Sequence, residues 1–536
     1  MKKLLFITAP LLLSVLTASC SKSNVPPPTP LAEKPPRETF VKVIWKRKTG
    51  NGNGSLANYN VAPAYANDTV FVPNQNGMAY ALAITNGKII WKNDTGTNLS
   101  VQPNTIANAV IFGSIKGTLT AIDDKDGQTL WRTDAPSSIF SQPTIYDNSI
   151  YLQTHDGSVS AFDARNGSKE WSVANNIPEI TLPSNSSPII LNNTVMIGNA
   201  FGAVLGFTIK RGDRTINIPI AISHGSSPAD KMVDITANPM LYDHYLIFAA
   251  YQGAIVALDK DSGKMLWAII LNNTVMIGNA FGAVLGFTIK RGDRTINIPI
   301  AISHGSSPAD KMVDITANPM LYDHYLIFAA YQGAIVALDK DSGKMLWAKK
   351  ASIINNMAIN NGVIFTTQDD SELKAYDIQT GDTVWTQDTL KWRKITAPIY
   401  YKGLIVVADY QGYLHFFNSL NGEYLGRYKL TSKSDIFDYG ISGQLVPTEK
   451  GIIIEADNGT TYLVDAYSNK VIYDSILSDY QVDKGKSVAR IYPLEQDKPT
   501  KATAPLATKT TQTTETKSKG INATIIIGDF SKGKPS

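Results

Sequence analysis

One spaced frame, Ala-x-Asp-x-x-x-Gly-x-x-x-Trp, constrains what this chain can fold into more than any other feature. It stands complete at Ala121, Asp123, Gly127 and Trp131, and again at Ala161, Asp163, Gly167 and Trp171. It returns at Ala257, Asp259, Gly263 and Trp267, at Ala337, Asp339, Gly343 and Trp347, and at Ala375, Asp377, Gly381 and Trp385. A looser copy lies at Ala81, Ala83, Gly87 and Trp91. Each copy reads as a β-hairpin in which Gly takes the left-handed turn position that a side chain resists and Asp binds the turn's own backbone. Ala leaves room for a bulky neighbour, and Trp is that neighbour, wedged between successive sheets. The role is structural, so truncating such a Trp is expected to cost about 3 to 5 kcal/mol.

The spacing is 40 residues from Asp123 to Asp163 and 41 from Asp377 to Asn418, the length of one four-stranded blade. The chain is therefore expected to be an all-β propeller. Between Trp171 and the third complete frame, at Ala257, a worn copy keeps the same offsets at Gly206, Thr208, Gly212 and Ile216. The Arg211-Gly212-Asp213 triplet inside it has its glycine in the turn slot, which makes it a turn rather than an adhesion motif. A strand ending in Trp45 lacks the three strands that should precede it, and is expected to close the ring against Thr461 to Asp465. Val471-Ile472-Tyr473 is the rival for that place.

Residues 189–268 recur letter for letter as 269–348, which ordinary blade similarity cannot produce. Ile269 stands two positions after Trp267, whereas Ile189 stands 18 after Trp171, so the extra copy has no room to enter a new blade in the usual way. Setting one copy aside leaves eight frames about 42 residues apart. The expectation is an eight-bladed ring with one 80-residue copy in excess, and a native mature chain shorter by that length would bear it out.

The first 19 residues carry Lys2, Lys3 and an apolar run from Leu4 to Leu16 that is too short to cross a bilayer, the pattern of an export signal. Cys20 is the only cysteine, so no disulfide can form within the chain. Residues 20–40 are rich in proline and read as an extended tether, 41–483 as the propeller, and 484–536 as a low-complexity, disordered tail of Lys, Thr, Pro and Ala, with Ala523 to Ile527 either a stray strand or a short partner-binding segment. A net charge of +4 with both signs interspersed gives no footprint for nucleic acid. The six histidines are not at metal-ligand spacing, and neither a nucleophile elbow nor a phosphate loop is present. No catalytic or metal residue and no cofactor is therefore assigned.

The frame resembles the pyrroloquinoline quinone family of propellers. Its dehydrogenase branch places adjacent cysteines against the cofactor and calcium in the channel, whereas here the sole cysteine is the expected lipid anchor. Leu16-Thr-Ala-Ser-Cys20 resembles a bacterial lipobox, which implies acylation of Cys20, palmitate included, and Ser21 in the next position points to the outer membrane. Within the propellers, the closer resemblance is to the BamB family, the lipoprotein subunits of the outer-membrane β-barrel assembly machine, over about 41–465. It rests on the lipobox, the Pro-rich tether, the Trp45 strand, Gly50-Asn-Gly-Asn-Gly54, Asp234-Ile-Thr-Ala-Asn-Pro239 and Gln411-Gly-Tyr-Leu-His415 taken in order.

That resemblance implies a non-enzymatic scaffold on the periplasmic face of the outer membrane. Its partners would be the POTRA domains of BamA, the other subunits of the machine and unfolded outer-membrane proteins. The implied contacts are Ile180, Leu182 and Pro183 on one inter-blade loop and Asp234 and Thr236 on the next. Pro183 stands where the family has a basic residue and Thr236 where it has an acid. Ile180 and Leu182 would be buried anchors, and Asp234 would steer a basic partner. The alternative is a periplasmic or surface propeller that binds a saccharide or peptide in its central funnel, since the fold alone does not choose a function.

Overall fold

The computed structural model describes residues 26–50, 61–178, 181, 186–221, 233–250, 254–261, 265–270, 295–297, 317–431 and 439–471. The chain divides into two units, 1–481 and 482–536, and the second lies outside the described residues, as do Cys20, Tyr473 and the tail.

Blade 2 shows how each copy of the frame folds. Its strands Asn104–Ile106, Ala109–Gly113, Thr118–Asp123 and Thr129–Asp134 form one antiparallel sheet in sequence order. Ala121 sits opposite Trp131 in the register, where the small residue accommodates the indole. Asp123 Oδ1 accepts from the backbone amides of Lys125 and Asp126, closing the turn. The same Ala–Trp pairing holds Ala81 to Trp91, Ala161 to Trp171, Ala337 to Trp347 and Ala375 to Trp385. In the worn copy Gly206 pairs with Ile216, and a Cβ on Gly206 would stand 2.8 Å from the Ile216 Cβ. Ala and Trp have thus been replaced together by a smaller residue and a branched one.

Successive blades are clasped by the same residues. Trp91 Nε1 donates to the Asp124 carbonyl of the next blade at 2.9 Å, Trp131 to Ala164 at 2.9 Å and Trp385 to Ser419 at 3.1 Å. Each indole lies on the frame glycine of the blade that follows: Trp91 on Gly127, Trp131 on Gly167, Trp171 on Gly212, Trp347 on Gly381 and Trp385 on Gly422. The frame glycine therefore has two reasons to be glycine, its positive φ and the ring above it. The Arg211–Asp213 pair flanking Gly212 is exposed and belongs to this turn.

The described residues form nine sheets, not the expected eight. The eight-blade count set one copy of the repeated segment aside, but the later part of the second copy, from Met320 and running on to Ala351, folds as a blade of its own, beside the blade Met240–Ile270 that the first copy supplies as far as Ala268. Identical sequence specifies the same sheet twice, and the two blades bury Tyr245, Ile247 and Ala249 against Leu326, Phe328 and Ala330. The first of the pair gains a fifth strand, Thr295–Asn297, parallel to Met265–Ile270. Of the frame residues in that blade, Asp259 ends its strand and Trp267 is paired in register with Ala257, while Gly263 lies outside the described residues.

One apolar cluster separates every neighbouring pair of blades, including the ninth and the first, where Ile453 and Leu463 meet Val70, Val72 and Leu82. The ring is closed by Phe40–Lys48, which pairs antiparallel with Thr460–Tyr467 in the ninth blade. Trp45 there lies on Gly87 and donates to the Ile84 carbonyl at 2.6 Å, as its counterparts do elsewhere. Every blade shows the same two ends. The frame hairpins stand at one end, and the connections from each outermost strand to the next innermost strand stand at the other.

Candidate functional site at the connecting loops

The connecting-loop end of blades 3 to 5 holds the two segments expected to meet a partner. Blade 3 comprises residues 144–173, blade 4 residues 189–219 and blade 5 residues 240–270. The structure brings the two segments together through side chains: the Thr181 hydroxyl of the connection into blade 4 donates to Asp234 Oδ1 of the connection into blade 5. A shallow depression beside this bond is lined by Gln153, His155, Asn176, Thr181, Asn199 and Asp234. His155 meets the Phe140 ring edge-on at 5.4 Å.

Asp234 is 3% exposed and Thr236 7%. A carboxylate placed so deep does not act as a steering charge on an open surface; its role in this arrangement is to fix one loop against the other. Ile180, Leu182 and Pro183 lie outside the described residues. The remainder of the Asp234-to-Pro239 motif has a local explanation. Asn238 Oδ1 accepts from the Ser187 amide at 2.8 Å, Asn318 Oδ1 from the Asn238 amide at 3.3 Å and Asn356 Oδ1 from the Asn318 amide at 2.9 Å. One asparagine per connection thus staples four consecutive blades together.

Phe201 is a residue that sequence reasoning missed. It occupies the blade 4 turn Asn199-Ala-Phe-Gly202, at the same end of the ring, and is 49% exposed. The corresponding turn slots hold Asn76, Lys116, Asp156 and Gln411, so an aromatic ring in a position otherwise polar was the available signal.

A second polar cluster lies buried in blade 8, residues 399–429. Arg393 donates to Asp409 Oδ2 from Nε at 2.9 Å and from Nη2 at 2.6 Å, and to Gln411 Oε1 at 2.5 Å. Asp409 Oδ1 accepts from the amides of Gln411 and Tyr413. His415 Nε2 stands 3.1 Å from Asp409 Oδ2 and its Nδ1 3.0 Å from the Tyr424 hydroxyl. Burial works to raise the Asp409 carboxyl, but the hydrogen bond and charge of His415, with the Tyr413 amide and Arg393, bring it below its ordinary value. Burial lowers His415, while burial pushes the Tyr424 hydroxyl up to about 12. A neutral His415 donating from Nε2 to the carboxylate and accepting at Nδ1 from Tyr424 satisfies all three groups. The Gln411-to-His415 stretch, legible in the sequence only as a family feature, is thus one wall of a buried ion-pair network.

Among the described residues, no group of three or more His, Cys, Asp or Glu is placed to hold a metal ion. A closed ring of four-stranded antiparallel blades carrying the Ala–Trp frame defines a β-propeller built of PQQ-like repeats. The model of the family described as outer membrane protein assembly factor BamB matches residues 75–270, 266–387 and 331–478, and the chain belongs to that family. It is 84% identical over 536 residues to the outer membrane protein assembly factor BamB of Francisella tularensis subsp. tularensis strain SCHU S4, with 100% of both chains covered. To the protein of the same name from Francisella salina it is 68% identical over 498 residues, covering 93% of this chain and 80% of that one. The crystal structure of BamB from Moraxella catarrhalis shares its fold, with a TM-score of 0.52, 16% identity, and coverage of 80% of this chain and 100% of that one.

Proposed function

We propose that this chain is a non-enzymatic scaffold for outer-membrane protein assembly, anchored by an acylated Cys20 on the periplasmic face and docking the POTRA domains of BamA. The observation that carries the docking site is the Thr181–Asp234 bond, which makes one continuous surface of two inter-blade connections. Ile180 and Leu182 are its apolar anchors in this reading, and Phe201, on the blade 4 turn at the connecting-loop end, adds an exposed aromatic ring. Pro183 and Thr236 complete the two segments. Asp234 is a positioning residue, holding the loops in one geometry, and exposed aromatic and apolar side chains around it provide the contact energy.

In-cell crosslinking followed by gentle solubilisation of the outer membrane tests this reading. Wild type should recover BamA, and Leu182→Glu and Phe201→Glu should each lose most of it while keeping the wild-type melting temperature. Asp234→Asn keeps the size of the side chain and should weaken recovery less than either. Absence of BamA from the wild-type sample would overturn the reading and bring forward a ligand in the central funnel.

A further inference from the structure

The proline-rich segment ahead of the propeller is held along one blade as a strap. At its start the Thr29 amide donates to the Lys391 carbonyl at 3.0 Å, and the Thr29 carbonyl accepts from Arg393 Nη1 at 3.1 Å. Arg393 is itself gripped by buried Asp409. Further along, the Ala32 carbonyl accepts from Arg427 Nη2 at 2.7 Å, and Leu31 packs against the apolar cluster of blades 7 and 8. Arg37 then bridges Gly426, and the Glu38 amide donates to the Leu425 carbonyl at 3.0 Å. The strap covers the free edge of Tyr424–Lys429, the outermost strand of blade 8. It runs from the connecting-loop end at Thr29 to the hairpin end at Phe40, whose ring stacks on Tyr467 at 5.1 Å.

The direction of the strap decides where an anchor attached to Cys20 can lie. Nine residues separate Cys20 from Thr29, a reach of at most about 30 Å fully extended. The six residues of Tyr424–Lys429 alone take up roughly 20 Å of blade height. An acyl chain on Cys20 therefore reaches a bilayer at the connecting-loop end directly, and at the hairpin end only by using most of its length to run back along the blade.

The loop on which the strap starts has the chemistry of a membrane interface. It reads Lys391-Trp392-Arg393-Lys394. Trp392 is half-buried, with φ at +63° and its amide donating to the Asp370 carbonyl at 2.6 Å, and Lys394 is exposed. A left-handed conformation is uncommon for an aromatic residue and persists only where its surroundings impose it. Lys391 is ion-paired with Asp370 and Glu372 and Arg393 is buried against Asp409, which leaves Trp392 and Lys394, an interfacial aromatic and a cation of the kinds that anchor proteins at lipid headgroups. Acyl chains also hold a protein more firmly when a second, protein-borne contact assists them.

We propose that the strap fixes the exit of the lipid anchor at blade 8, so that the connecting-loop end of that blade, led by Trp392 and Lys394, lies against the lipid surface. This rests on acylation of Cys20. The docking loops of blades 3 to 5 then share the membrane-side end of the ring, several blades away from the anchor.

The test uses full-length acylated protein in vesicles of phosphatidylethanolamine and phosphatidylglycerol carrying a headgroup nitroxide. A fluorophore is attached at Lys394→Cys or, on the opposite end of the same blade, at Leu420→Cys. The expected result is several-fold stronger quenching at residue 394 than at residue 420. Trp392→Ala, or a long Gly-Ser insertion after Asn24, should narrow that difference while leaving the protein vesicle-bound. Equal or reversed quenching in protein that Cys20→Ser releases from vesicles would overturn the proposal and leave the anchor standing. A difference that persists unchanged through the insertion would overturn the length argument and the proposal with it. Unchanged vesicle binding by Cys20→Ser would overturn the anchor itself, and this inference with it.

Discussion

The frame glycine carries more of the architecture than a turn position normally does. At Gly127 φ is +76°, and a Cβ would stand 2.6 Å from the Trp91 Cβ and Cγ of the preceding blade. Gly127→Ala should therefore lose at least about 2 kcal/mol, from left-handed strain and overpacking together, read as a lowered denaturation midpoint. Glu455 makes a different kind of prediction. Both its carboxylate oxygens are buried without a hydrogen-bond partner, and burial, with the charge of Asp457, raises its pKa from 4.5 to about 8. Below pH 4.5 the group is protonated folded or unfolded, and its contribution to stability is fully present. As pH rises from 4.5 towards 8 the unfolded carboxyl ionises while the folded one stays neutral, and stability is lost across that window. Glu455→Gln should remove this slope, so that its melting temperature gains on wild type with rising pH and levels off above about pH 8. Of these two residues only the glycine was legible in the sequence. The repeat exposed its turn role but not the indole above it, because that contact joins two blades, and nothing local marks Glu455 as buried.

Blade 8 and its strap show what the sequence could and could not reveal at the level of elements. Strand alternation and turn spacing made the blade predictable, since each strand's pattern is local. The Arg393–Asp409 pair joins a connecting loop to a hairpin, and the strap meets it from more than three hundred residues away, so no spacing rule links them. Proline content pointed to an extended tether but carried no sign that Thr29 to Glu38 lie against the outer strand of blade 8. Asp409→Asn leaves the Arg393 guanidinium buried with its countercharge removed, which should cost about 3 to 5 kcal/mol. The same variant should loosen the strap, and limited trypsin digestion should then cut after Arg37 faster than in wild type. At the connecting loops of blades 4 and 5 the chain order of the two segments was readable. The burial of Asp234 was not, because the sequence does not show that Thr181 folds onto it.

The described residues close a ring of nine blades, and the eight-blade expectation failed at the scale of the whole molecule. Each blade interface depends on local packing between neighbours, apolar face on apolar face and, at most of them, Trp on glycine, and none of these contacts counts blades. A second copy of a competent blade therefore folds as a blade. The seam is the one joint that is not continuous along the chain, so it is where closure can be tested. Val43 sits opposite Val464 in the closing strand, and Val43→Pro removes an amide from that ladder and disfavours pairing at its centre. The expected outcome is lost hydrogen-exchange protection along Thr460–Tyr467, with higher oligomers in light scattering as unpaired edges find other chains.

Pairing Phe40–Lys48 with Thr460–Tyr467 also sets an order of events in time. The strand made first cannot take its place until the strand made last exists, and the two hydroxyls that meet across the seam, Thr49 and Thr461, are 412 residues apart in the chain. Closing so long a loop is slow compared with forming any single blade, so blades can form during export while the ring stays open. Until the final blade emerges, the molecule is a curved ribbon with two bare edges, and its greatest exposure to aggregation comes in that interval.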